Sequence, residues 1–157
     1  MKKPLALIFG FTFIVLFLTG CTSEKTRTTI LSKLSSSGII EDDWEYIDSD
    51  VTSAAPIPGI SSYEYYYQDE SGNIYEISIS GSQTETDRNE KYYPVYLSDH
   101  MKAKEKTETY TDPETKVSKE ILETDYYQTE ETATVSYRIY KHKFLFWSFW
   151  ELQKEEG

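Results

Sequence analysis

The chain has 157 residues, enough for one domain, with 16 Lys and Arg against 27 Asp and Glu and a formal net charge of −11. That charge argues against phosphate backbones as partners, so no nucleic acid is expected. A single Cys can make neither an intramolecular disulfide nor a thiolate metal cluster, while 14 Tyr and 3 Trp make the chain rich in aromatics.

At the N-terminus, Lys2 and Lys3 precede an apolar run from Leu5 to Leu18 whose one polar side chain is Thr12. As a helix those residues span roughly 21 Å, short of the ~30 Å hydrocarbon core of a bilayer. The pattern is that of a signal-peptide apolar region rather than a mature transmembrane helix. Leu18-Thr19-Gly20-Cys21 follows. This segment resembles the lipobox of bacterial lipoproteins: Leu three positions before the cut, small residues, then Cys. The resemblance covers residues 1–21 alone. It implies cleavage between Gly20 and Cys21, diacylglycerol (and palmitate-type acylation) on Cys21, and a protein held by lipid on the extracytoplasmic face of the cell membrane. Two acyl chains anchor stably where one is marginal. Cleavage would remove Lys2 and Lys3 and leave an exported chain of formal charge −13. The octapeptide Phe13–Gly20 also resembles the apolar pheromones that some bacteria release from lipoprotein signal peptides, which leaves the signal peptide itself as another functional product.

The exported part begins with small polar residues. Residues 21–29 read as lipidated Cys and tether, and residues 30–157 as one small globular domain. Ile30, Leu31 and Leu34 follow helical spacing, and Ser35-Ser36-Ser37-Gly38 supplies a stop, so a short helix is expected from about Glu24 to Ser36. Ile39 and Ile40 should pack back beneath it. Ala54-Ala55-Pro56-Ile57-Pro58-Gly59 reads as a loop.

The clearest β pattern comes next. Tyr63, Tyr65 and Tyr67 alternate with Glu64, Tyr66 and Gln68; Asp69-Glu70-Ser71-Gly72-Asn73 is turn chemistry; Tyr75, Ile77 and Ile79 alternate again. Gly81–Lys91 reads as an exposed loop, and Tyr92–Leu97 as a short strand whose Pro94 suits a sheet edge. The Thr-, Glu- and Lys-rich stretch that follows fits a helix started at Asp112-Pro113-Glu114 or a hairpin turned there, and Thr107, Thr109 and Thr111 favour the hairpin. Ala133, Val135, Tyr137 and Ile139 alternate as a strand. Phe144–Trp150 is apolar on both faces, the pattern of a strand covered on both sides. The expected fold is α+β: a mostly antiparallel sheet of five or six strands with one short N-terminal helix.

Candidate chemistry is sparse. Ser98-Asp99-His100 holds the residue types of a hydrolytic triad, but neighbours in an extended chain point in opposite directions, and a triad needs its base between the other two in space. His100 therefore reads as a solvated loop residue and His142, between two lysines, as a surface residue. No catalytic residue, metal ligand set or cofactor is assigned. The acidic runs Glu41–Asp43, Asp48–Asp50 and Asp69–Asn73 lack the spacing of a calcium loop.

Two aromatic features invite a binding role. Tyr66 lies opposite its Tyr neighbours and would count as ligand surface if exposed. Trp147 and Trp150, with Phe144, Phe146 and Phe149 behind Lys141-His142-Lys143, could meet a bilayer or stack on a ligand; a core strand is the plainer expectation. The leading expectation is thus a monomeric, non-enzymatic, lipid-anchored domain that binds a partner, such as an envelope protein, or serves as an accessory to a larger envelope system. The alternative is a domain that binds a cationic or sugar ligand through acidic and Tyr/Trp surface. A cleft lined by Tyr and carboxylates would favour the alternative.

Overall fold

The computed structural model describes residues 22–53 and 60–156. The signal-peptide and lipobox residues and the loop expected at 54–59 lie outside the described residues. In chain order the elements are α1 (Glu24–Ser36), β1 (Glu45–Ser53), β2 (Ile60–Gln68), β3 (Ile74–Ser80), β4 (Thr84–Glu85), β5 (Lys91–Thr111), β6 (Ser118–Tyr127), β7 (Thr134–Phe144) and β8 (Trp147–Lys154). The α+β class is as expected, with eight strands instead of five or six.

Helix α1 has the bounds its sequence signals require. Ser23 caps it, its hydroxyl accepting from the Thr26 amide at 3.2 Å, and Glu24 sits in the first turn, where the helix dipole favours an acid. At the other end Gly38 takes φ +78°, a backbone region costly for side chains with a Cβ, and the Ile39 amide returns to the Leu34 carbonyl. Ile30 and Leu34 are fully buried, and Ile40 joins them beneath the helix.

Residues ahead of position 30 pack into the folded structure. Thr22 is already buried: its amide donates to the Gly81 carbonyl at 2.8 Å and its hydroxyl to the Ser80 carbonyl at 2.7 Å. Arg27 fastens the same segment, donating to the Thr22 carbonyl and the Tyr65 hydroxyl while lying 3.7 Å over the Tyr63 ring.

The sheet runs β1-β2-β3-β5-β7-β8, antiparallel throughout, with β4 paired to the start of β5 and β6 to its end. The core lies between α1 and one face, where Ile77, Ile79, Val95 and Ile139 are fully buried and Tyr65, Tyr67, Tyr93, Tyr137 and Leu152 pack around them. Strand alternation sends Glu64, Tyr66, Glu76 and Ser98 to the opposite face.

Strand β5 carries two structures in one run. Lys91–Ser98 lies inside the main sheet between β3 and β7, so the edge expected for Tyr92–Leu97 is corrected. Pro94 is accommodated because β3 stops pairing at Val95 and β4 resumes at Tyr92, leaving a gap in the ladder beside it. At His100 the backbone turns to φ +46°, and Lys102–Thr111 pairs with β6 alone. This β5–β6 ribbon is the expected hairpin. The Asp112 carboxylate closes its turn by accepting from the Glu114 and Thr115 amides. The ribbon is an arm inserted between two neighbouring sheet strands.

The second correction concerns Phe144–Trp150. It is a hairpin at the sheet border, not a covered central strand: among the described residues β8 pairs only with β7, and Phe144, Leu145, Phe146, Trp147 and Phe149 are exposed. Periodicity reports which residues are apolar, while burial depends on which strands arrive on either side.

Candidate functional site

The arm leans over the face opposite α1 and makes a cleft there. Tyr126 of β6 stacks on Tyr66 of β2, ring centroids 3.9 Å apart and planes 16° from parallel. The Tyr126 hydroxyl meets the charge of Asp48 of β1, and the Tyr66 hydroxyl that of Glu76 of β3. These contacts join arm to sheet at one point. Beside them opens a cleft of about 430 Å³ lined by Asp48, Ser49 and Asp50 on one wall, Leu122–Tyr126 on the other, and Tyr66 between.

The register explains why carboxylates gather here. Asp48 pairs with Tyr66, which pairs with Glu76; Asp50 pairs with Glu64. Cross-strand partners share a face, so four acids from three strands lie side by side. A bulge between Tyr46 and Asp48 sets the phase that turns both aspartates to this side. Glu123 and Asp125 approach from the arm, where Lys106 bonds Asp125 and Glu108, each at 3.0 Å. Among the described residues, none that lines the cleft is basic.

The electrostatics follow from this crowding. Burial, then the Glu76 and Glu64 charges, push the Tyr66 hydroxyl far above the usual phenol range. Glu76 is raised, chiefly by desolvation and further by Glu64, against the lowering effect of the Tyr66 hydrogen bond. Glu64 is 8% exposed; its Oε1 accepts from Ser62 and from Thr52, and its Oε2 has no hydrogen-bond partner among the described residues. A positive group near this face would meet unbalanced negative charge.

The other sequence candidates fall elsewhere. Tyr66 is only 5% exposed, so it is a buried support for the arm and not an open ligand surface. Trp150 is half-buried against the core with its ring 5.9 Å from Tyr93, whereas Trp147 is 70% exposed. His100 lies 3.0 Å from Asp99 at the exposed bend of β5, while Ser98 is buried and bonds Thr134. Asp99 and His100 thus pair with each other, while the Ser98 hydroxyl bonds Thr134 instead. His142 bonds Glu151 at 2.7 Å and stacks on Phe149. Among the described residues, no three His, Cys, Asp or Glu are placed to hold a metal ion, and no helix is long and apolar enough to cross a membrane.

Sequence reasoning named Asp48–Asp50 only as an acidic run and missed Tyr126, Glu64 and Glu76 as neighbours of Tyr66. The alternation of β2 and β3 was enough to place Glu64, Tyr66 and Glu76 together, but nothing local signalled that the arm would fold over them. Compared with protein-family models, curated proteins and solved structures, the chain matches none of them.

Proposed function

We propose that the chain is the precursor of a bacterial lipoprotein, cut before Cys21, acylated there, and carried on the extracytoplasmic face of the membrane as a non-enzymatic binding domain. Its ligand is cationic, and the cleft between β1 and the arm receives it. The observation that carries this reading is the convergence of Asp48, Asp50, Glu123 and Asp125 around the Tyr66–Tyr126 stack, with Lys106, among the described residues, the one cation bonded to the group. Carboxylates at the border of an open cleft attract ammonium and guanidinium groups, and tyrosine rings and hydroxyls orient them. A sugar ligand fits less well, because the aromatic faces are spent on each other in the stack.

Two experiments test the two halves. Mass spectrometry of the N-terminal peptide after bacterial expression should find diacylglycerol on Cys21, and Cys21→Ser should leave the precursor uncut; an unmodified Cys21 refutes the anchor. Calorimetric titration with pentalysine should show salt-sensitive binding. Asp48→Asn with Asp50→Asn should weaken it about 2- to 30-fold, taking ~0.2–1 kcal/mol for each exposed charge pair. Binding unchanged by that double variant refutes the cleft.

A further inference from the structure

The geometry points to the β7–β8 hairpin tip as a membrane-contacting element that works beside the lipid anchor and sets the orientation of the domain on the bilayer; the inference rests on the lipid-anchor reading and is separable from it.

Three observations meet at one end of the sheet. Ile79, Val95 and Tyr137 are level with one another across β3, β5 and β7. From that level β3 continues to Ser80 and Gly81, which hold Thr22, and β7 continues in the same direction to Phe144. Thr22, the residue that follows Cys21 in the sequence, is therefore held at this end. The aromatic tip and the anchor therefore leave the domain from the same end.

The reach of the hairpin is compatible with a surface position. Phe144 lies six residues beyond the level of Ser80, or ~20 Å along its own strand. Two strand steps separate β3 from β7, each twisting by roughly 20–25°, so the offset shortens to about 13–15 Å along β3. That reach would cross a headgroup layer of roughly 5–8 Å and end in the upper acyl zone.

The chemistry of the tip fits the same occupant. Phe146 is fully exposed at 102%, with Leu145, Trp147, Phe144 and Phe149 exposed around it. Next to them Lys91, Lys141 and Lys143 share a shallow recess with Gln83, Asn89 and Tyr93, and no carboxylate lines it among the described residues. In a chain of this acidity, that concentration of lysine beside an aromatic tip is complementary to anionic lipid headgroups. The turn itself is costly. Leu145 holds φ +54° at the first of two turn residues, a position that favours Gly or Asn, and it nevertheless presents a large apolar side chain to solvent. Strain of this kind is retained where the displayed group has a use.

The test uses the full chain, expressed in a bacterium, extracted from its membranes and reconstituted in phosphatidylcholine vesicles containing phosphatidylglycerol with brominated acyl chains. Bromine quenches tryptophan that enters the acyl region. Trp44 stacks on Tyr75 at the far end of β3, and Trp150 is half-buried, so the quenched emission should be that of Trp147. Quenching is expected in the native sequence, lost in Trp147→Phe, and lost in Phe146→Asp, whose exposed position leaves the packing of the fold untouched. Replacing Lys91, Lys141 and Lys143 with Gln should shift insertion about fivefold per lysine. A lipidated Cys21 with Trp147 emission equal in brominated and unbrominated vesicles overturns the proposal, as does a tip unquenched in vesicles but crosslinked to a protein in native membranes. Quenched Trp147 in a chain whose Cys21 mass shows no lipid supports the tip and refutes the anchor alone.

Discussion

Replacing Glu64 with Gln should stabilise the fold. The carboxylate is buried, yet only Oε1 is bonded, by the hydroxyls of Ser62 and Thr52. A buried acceptor left without a donor costs about 1–3 kcal/mol. Gln keeps the volume and the Oε1 contacts and removes the charge that helps to raise Glu76. The expected gain is therefore about 1–3 kcal/mol, seen as a higher urea midpoint at unchanged slope in a soluble form beginning at Thr22. A second readout separates this cause from general repacking. Glu64 helps to raise Glu76, so the Glu76 carboxyl, followed by NMR, should titrate lower in Glu64→Gln than in the native chain. A raised carboxyl binds its proton more tightly when folded, so its contribution is fully present below the usual 4.5 and is lost as pH rises through the folded value. Part of the Glu64→Gln benefit should accordingly shrink as the pH drops and Glu76 becomes neutral. Removal of a donor instead, with Ser62→Ala, should destabilise. A Glu64→Gln protein no more stable than the native one, with Glu76 unmoved, would refute the reasoning.

Asp69 closes the β2–β3 turn, accepting from the Ser71 and Asn73 amides, the Asn73 side chain and the Tyr75 hydroxyl; the Asn73 side-chain bond is the main cause of its lowered pKa. Stability from this group is present above the usual 3.8 and is lost as pH falls through the lower folded value, so Asp69→Asn should flatten the acid limb of a stability–pH curve. In the same turn burial, then the hydrogen bond to Asp69 and its charge, push Tyr75 up to about 12, so absorbance should show this phenol ionising after the exposed tyrosines. Leu145→Gly should relieve a left-handed residue worth ~1–2 kcal/mol and give back part of that through the greater entropy of the unfolded chain, for a net gain near 1 kcal/mol by chemical denaturation. Arg27→Ala removes a charged donor to Thr22 and Tyr65 and a cation over Tyr63. It should cost about 1–3 kcal/mol and speed hydrogen exchange at the Thr22 amide.

The local pieces follow from signals that lie a few residues apart. Ser23, the Ile30–Leu34 spacing and Gly38 are enough for α1, because capping and helical periodicity act within a few residues. Strict alternation with Asp69–Asn73 between is enough for β2–β3, and the threonines before Asp112 favoured the second hairpin correctly. Only the tertiary structure decided what each piece meets. Pro94 sits inside the sheet because β3 and β4 leave a gap beside it; Tyr66 is buried because β5 bends at His100 and brings Tyr126 over it; and the most apolar segment, Phe144–Phe149, stands in solvent because no strand pairs beyond β8. A residue's polarity is a property of its own side chain, whereas its burial is settled by strands tens of residues away. The acidic cleft and the aromatic tip both arise at that second level.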